Sequence, residues 1–464
     1  MVPTRLSAQD AAFLYLEQPN MHMHVAGLSV IDPRTTPNER LSFEDLVEVL
    51  TSRVHLVPRF RQKVVFVPGN VARPLWVDDE DFDVDFHMRR AALPAPGGRR
   101  ELADFVQRVH SRPLDRSKPL WELYFIEGLE DGLLAILTKV HHAMIDGISG
   151  VDIATVMFDF QPQPTILTPE PWNPAPEPSR MELLADALRD QVANPAAAIA
   201  SGAQGLLQAP LRVAQGMGAV LGGVRELVGM GTPPKGPFDQ NIGPNRRFAM
   251  AEAPVQRFKD VKNAVGGTVN DVVLAVMAGS LHKTLKARGE PTRGRRLRAM
   301  VPVSVRSEAE KMALGNRVTL TFVDLPVGPI DPVRRLHRIT EATKGLKDSM
   351  MAVGADAIMN LGTWAPPTLH ALAARLVSRG RWFNLVVSNV PGPQVPMYIA
   401  GAKLLANYPV MPLAENVALS VAVTSLAGTM GFGFTGDWDG TPDIDFMAAS
   451  LEEALDDLSK AAGV

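Results

Sequence analysis

Leu133-Leu134-Ala135-Ile136-Leu137-Thr138-Lys139-Val140-His141-His142-Ala143-Met144-Ile145-Asp146-Gly147 is the stretch on which the reading of this chain turns. Leu133 to Val140 is an apolar run of strand length, and Val151 to Phe158 reads as the start of a buried helix. Between them lie two histidines and a sharp Asp-Gly turn. A histidine leaving a strand just before a turn is held rigidly, with its ring free to face a cleft, as an acid/base catalyst requires. The plainer reading of the same residues is packing by the histidines and helix capping by Asp146.

Working outward, the chain has 464 residues, which suits two domains of about 200 residues each. Hydrophobic residues make up 46% and charged residues 21%, as in globular proteins with large cores. A net charge of -3 does not suit a nucleic-acid partner. With no cysteine there is no thiol nucleophile, disulfide or thiolate metal site. Met1 to Glu17 lacks the apolar core of a signal peptide, so a cytoplasmic location is expected. Val192 to Leu211 is uncharged and of spanning length, but its Asn, Gln, Ser and Pro leave it too polar for stable insertion. A peripheral contact with a membrane or lipid droplet is the most it suggests.

The first half reads as mixed α/β. Helices are expected at Phe43 to Val54 and Glu101 to His110, and strands at Phe60 to Val67 and Leu123 to Ile126. Gln161 to Ser179 is proline-rich and cannot be helical. Met181 to Met230 is weakly amphipathic, and Gly231 to Pro244 is rich in proline and glycine. The domains are therefore placed at 1–160 and 246–464, with 161–245 as a partly helical connection. In the second half, strands are expected at Ala299 to Val305, Val318 to Leu325, Phe383 to Ser388 and Val417 to Thr424. Asp331-Pro332 should start a helix through Leu336, Ile339 and Leu346, and Phe446 to Leu458 should form a C-terminal helix.

Further motifs share the order of the chain with the two histidines. They are Leu6-Ser7, Asp10, Phe13-Leu14 and Glu17, then Met23-His24-Val25, then Pro119-Leu120-Trp121-Glu122. Beyond the histidines come Asn270-Asp271-Val272-Val273-Leu274-Ala275 and Ser388-Asn389-Val390-Pro391-Gly392-Pro393. In this order and spacing the chain resembles the bacterial wax ester synthase/diacylglycerol O-acyltransferase family, within the superfamily of CoA-dependent acyltransferases. The resemblance covers nearly the whole chain. It implies two chloramphenicol-acetyltransferase-like α/β domains, each a mixed sheet with helices, and an active-site channel between them.

The resemblance also implies a reaction. His142 would take the proton from an acceptor hydroxyl, the oxygen would attack the acyl-CoA thioester, and the imidazolium would protonate the departing thiolate. The acceptor would be diacylglycerol, a long-chain alcohol or both, acyl-CoA being a substrate, with no resident cofactor or metal. Asp146 would support the turn and pair with an arginine, for which Arg306 is a candidate, and Gly147 would relieve the turn of a Cβ clash. His141 reads as a supporting residue. Asn270 and Asp271 are read equally as a helix cap and as a site lining, in which the Asn270 side-chain amide could donate to a developing oxyanion. Pro119 to Trp121 reads as core packing near the site, and Ser388 to Pro393 as a strand and tight turn at the domain junction. The Asp-Phe-Gly-Trp-Gly element common in the wider superfamily is absent.

Three rivals remain: an acyltransferase for another lipid hydroxyl, such as a polyketide diol or glycolipid, a non-catalytic lipid-binding or lipid-droplet protein, and, weakest, a metal-dependent hydrolase, for which the two histidines are adjacent instead of four apart on a helix. The basic run Arg293, Arg295, Arg296 and Arg298 reads as a solvated surface, with CoA phosphates or anionic lipid as the alternative. His22 and His24 alternate as in a strand and would need a third ligand to hold a metal.

Overall fold

The computed structural model describes residues 3–145, 156–193, 231–304, 318–348 and 380–464. In the first half lie strands β1 (Thr4–Arg5), β2 (His24–Asp32), β3 (Gln62–Val65), β4 (Leu75–Asp78), β5 (Met88–Ala92), β6 (Trp121–Glu127) and β7 (Leu134–His141). Its helices are α1 (Ala8–Leu16), α2 (Phe43–Arg53), α3 (Val84–His87), α4 (Arg99–His110) and α5 (His142–Ile145), with α6 (Arg180–Ala193) beyond the proline-rich stretch. The second half contributes β8 (Arg246–Pro254), β9 (Arg296–Ser304), β10 (Val318–Pro326), β11 (Leu385–Val390), β12 (Tyr398–Ile399), β13 (Ala402–Val410), β14 (Leu419–Leu426) and β15 (Thr429–Asp437). Its helices are α7 (Val255–Val265), α8 (Val269–Ala287), α9 (Pro332–Asp348) and α10 (Ile444–Ala462).

Two six-stranded mixed sheets form the frame, in the orders β12-β13-β2-β7-β6-β5 and β10-β9-β11-β14-β15-β8, beside a small β1-β4-β3 sheet. This is the expected α/β architecture, and the sequence-derived elements recur with shifted ends. The strand expected from Phe60 begins only at Gln62, because Pro58 starts a tight 3-10 turn through Arg61. The histidine strand runs one residue past Val140, so His141 is its last residue and His142 the first of α5. Helix α9 starts as expected, with the Arg334 amide on Asp331 Oδ1 at 2.9 Å.

Sequence periodicity did not reveal that the second half lends strands to the first sheet. β13 comes from the second half yet pairs antiparallel with β2, from Val410 opposite Ala26 to Lys403 opposite Asp32. It also lies against β15 of the other sheet. A Cβ on Gly431 would sit 2.0 Å from the Asn407 carbonyl oxygen, and one on Gly433 1.8 Å from that of Pro409. Only glycine permits backbones to approach so closely. The seam between the sheets is apolar, with Leu28, Ile126, Leu137, Phe248, Met250 and Tyr408 buried together.

Helix α8 is buried nearly all round, from Val272 to Leu281, beneath the second sheet. Among the described residues no single helix is long and apolar enough to cross a membrane. α7 and α8 together have that composition, but they are bent by 102° and pack into the core. The uncharged Val192 to Leu211 segment lies almost wholly outside the described residues.

Candidate active site

β7 is a central strand of the first sheet, with His141 opposite His24 on β2 and Val140 opposite Trp121 on β6. Its end is therefore held from both sides. The His141 amide donates to the Leu120 carbonyl at 2.9 Å, and the His142 amide to the Met23 carbonyl at 2.8 Å. The Pro119 to Trp121 motif is thus the wall behind the histidines. Leu120 is fully buried, and the Trp121 indole stacks on His87 and donates to the Phe60 carbonyl at 2.9 Å. Lys139, buried on the same strand, donates to the carbonyls of Val109 and Arg112 and so caps the end of α4.

The His142 ring stacks on Phe13, with centroids 4.0 Å apart. Its Nδ1 is buried without a hydrogen-bond partner among the described residues. Burial pushes its pKa down to about 4, and its own backbone carbonyl offsets part of this. The imidazole is therefore neutral at physiological pH and able to accept a proton. His141 is differently placed. Its Nδ1 accepts the Ala143 amide at 3.1 Å, and its Nε2 faces Glu17 Oε1 at 3.7 Å. With Nδ1 occupied as an acceptor, the neutral ring carries its proton on Nε2 and has no free lone pair for catalysis.

Glu17 and Phe13 were visible in the N-terminal motif, but their roles were not. They lie four residues apart at the end of α1, a spacing that puts both on one side of the helix. Each meets one histidine. Ser7 begins that helix by accepting the Asp10 amide at 3.0 Å.

Two distant motifs also meet. Asn389, at the end of β11, donates from Nδ2 to Asn270 Oδ1 at 3.2 Å, and both residues are half-buried. Among the described residues the Asn270 amide nitrogen makes no hydrogen bond, so it can donate to a bound group. Asp271 resolves the other way. Its Oδ2 accepts the Thr268 amide at 2.8 Å and its Oδ1 the Thr343 hydroxyl at 2.8 Å, so it is the buried half of a capping box. Ser388 to Pro393 lies where the chain leaves the second sheet for β12 of the first, with the Gly392 amide on Ser425 Oγ at 3.1 Å. In the basic run, Arg295 pairs with Glu290 at 2.5 Å, and Arg298 with Asp324 at 3.0 Å. These acidic partners favour the solvated-surface reading over an anion site. Asp146, Gly147 and Arg306 lie outside the described residues.

Fold and site together define an acyltransferase of the two-sheet, CoA-dependent type. The wax ester synthase/diacylglycerol acyltransferase catalytic domain matches residues 6–273, and the WS/DGAT C-terminal domain matches residues 314–459. The chain belongs to this family of acyl-CoA-dependent O-acyltransferases. A Mycobacterium tuberculosis protein named "probable diacylglycerol O-acyltransferase" is 34% identical over 458 residues, covering 98% of each chain. The solved wax ester synthase/diacylglycerol acyltransferase from Marinobacter aquaeolei VT8 superimposes with a TM-score of 0.70 at 29% identity, covering 99% of this chain and 100% of that one. At 17% identity and a TM-score of 0.57, the first condensation domain of the calcium-dependent antibiotic synthetase shares the fold, covering 100% of this chain and 97% of that one.

Proposed function

We propose that this chain transfers an acyl group from acyl-CoA to the hydroxyl of diacylglycerol or a long-chain alcohol, with His142 as general base. The observation that carries the reading is the His142 imidazole itself. It is neutral, fixed at the end of a central strand by the Met23 carbonyl and the Phe13 ring, and adjacent to a histidine whose Nδ1 is already occupied. His142 removes the hydroxyl proton as the oxygen attacks the thioester carbonyl. The tetrahedral intermediate then collapses, the C–S bond breaks, and the imidazolium returns its proton to the CoA thiolate. A base so placed contributes roughly 10²- to 10⁴-fold.

Asn270 is our candidate for the oxyanion donor, its carbonyl being held by Asn389 so that the NH₂ can be presented. Asp271 acts by fixing the first turn of α8. Direct transfer between the two substrates requires no resident cofactor or metal. The names of the relatives support diacylglycerol as the first acceptor to try, and the acceptor's insolubility supports peripheral contact with a membrane or lipid droplet.

Separation of the lipid products formed from palmitoyl-CoA with diolein, hexadecanol, or a polyketide-type diol tests the acceptor. Triacylglycerol or wax ester is the expected product. Ester formed only on the diol would reassign the acceptor, and no ester on any of them would remove the catalytic reading.

A further inference from the structure

We propose that Glu17 is a positioning residue for this acyl transfer, acting on His142 through His141. The inference rests on His142 being the base. Glu17 is the C-cap residue of α1, and its side chain is only 10% exposed. Its carboxylate is fixed on both oxygens. Oε1 accepts the Met23 amide at 3.1 Å, and Oε2 takes a close ion pair from Arg116. Burial favours the neutral acid, but the His141 N–H facing the carboxylate and the Arg116 guanidinium outweigh it and hold its pKa below the ordinary carboxylate value. The group is therefore anionic at any working pH.

This fixed anion faces His141 Nε2 at 3.7 Å and His22 Nδ1 at 3.9 Å. The His141 proton must lie on Nε2, because Nδ1 accepts the Ala143 amide. An N–H pointed at an anion holds the 1% exposed His141 ring in one orientation. That orientation places Nδ1 where it caps the Ala143 amide in the first turn of α5, the turn that carries His142. Met23 ties the two ends together, its amide on Glu17 and its carbonyl on the His142 amide.

The arrangement is not a proton relay. The 3.7 Å separation is too long for a hydrogen bond, and among the described residues no hydrogen bond or ion pair joins Glu17 to the His142 ring. Removing its charge should misplace the base and leave its basicity alone. A small displacement of a reacting group is enough to cost up to about 100-fold in rate.

The test compares wild type with Glu17→Gln, His141→Asn, the double variant and His142→Ala, using palmitoyl-CoA and diolein. Asn at 141 keeps an acceptor for the Ala143 amide but cannot reach Glu17. Glu17→Gln should lower kcat by about 10-fold or more, with KM for palmitoyl-CoA and the acid limb of the pH profile unmoved. It should cause little further loss in the His141→Asn background. Arg116→Gln, at a more exposed position, loosens the same carboxylate and should lower kcat in the same sense if Glu17→Gln does not fold. The proposal fails if folded Glu17→Gln and Arg116→Gln keep kcat within twofold of wild type. It also fails if the Glu17 and His141 effects simply multiply, or if lost activity only tracks lost folded protein. Unimpaired turnover by His142→Ala would instead overturn the base assignment itself.

Discussion

At the scale of the residue, His142 is set apart by its surroundings. An ordinary histidine is half protonated near pH 6.5, whereas burial keeps this one neutral down to about pH 4. The proposed base is lost only when pH falls through its folded pKa, so kcat/KM should stay level between pH 8 and 6. Its acid limb should have an apparent pKa well below 6.5, measured where the near-ultraviolet circular dichroism is unchanged. A limb at 6.5 or above would contradict the environment described for this ring. The sequence made His142 legible through its place after an apolar strand. It did not disclose that His141 Nδ1 is taken up by the Ala143 amide, because that depends on which ring nitrogen meets that amide. Phe13 and Glu17 were equally legible as letters, but their roles depend on α1 lying across the end of β7.

At the scale of the element, Asp271 shows how one dipeptide can divide its tasks. Asn270 and Asp271 looked interchangeable as cap or lining, and periodicity had no means to separate them. Thr268, three residues earlier, carries the signal: with Asp271 it forms the reciprocal pair that starts α8. Asp271→Ala should cost about 1–2 kcal/mol of stability, read as a lower urea midpoint, while kcat per folded molecule is retained. A fall in kcat without a change in that midpoint would make Asp271 part of the chemistry. The buried histidines carry a second consequence. Desolvation lowers the pKa of His24, and that of His110 to about 3. Unfolded histidines titrate near 6.5, so below that pH the unfolded chain binds more protons than the folded one. Through these histidines stability should fall on acidification below pH 6.5, by up to about 1.4 kcal/mol per pH unit for each. A urea midpoint unchanged between pH 7 and 5 would contradict this.

At the scale of the whole molecule, the two sheets are joined by a strand that belongs to one half in sequence and the other in hydrogen bonding. Local pattern reading found strands at β9, β10, β11 and β14 because each is a plain apolar run. It missed β13 and β15, whose asparagine, tyrosine, proline and glycines obscure the alternation. Those glycines are where the halves meet. Gly433→Val should clash with the Pro409 carbonyl and cost about 1–3 kcal/mol or more, seen as a lower Tm with loss of activity at the same temperature. An unchanged Tm would mean that the strands can separate without cost. The central claim concerns what this joined frame holds in place, and one measurement addresses it directly: CoA release from palmitoyl-CoA, with and without diolein, by wild type and by His142→Ala of matching circular dichroism. Release stimulated by diolein in the wild type and reduced at least about 100-fold in the variant is the predicted result. Equal release by both proteins would contradict the account.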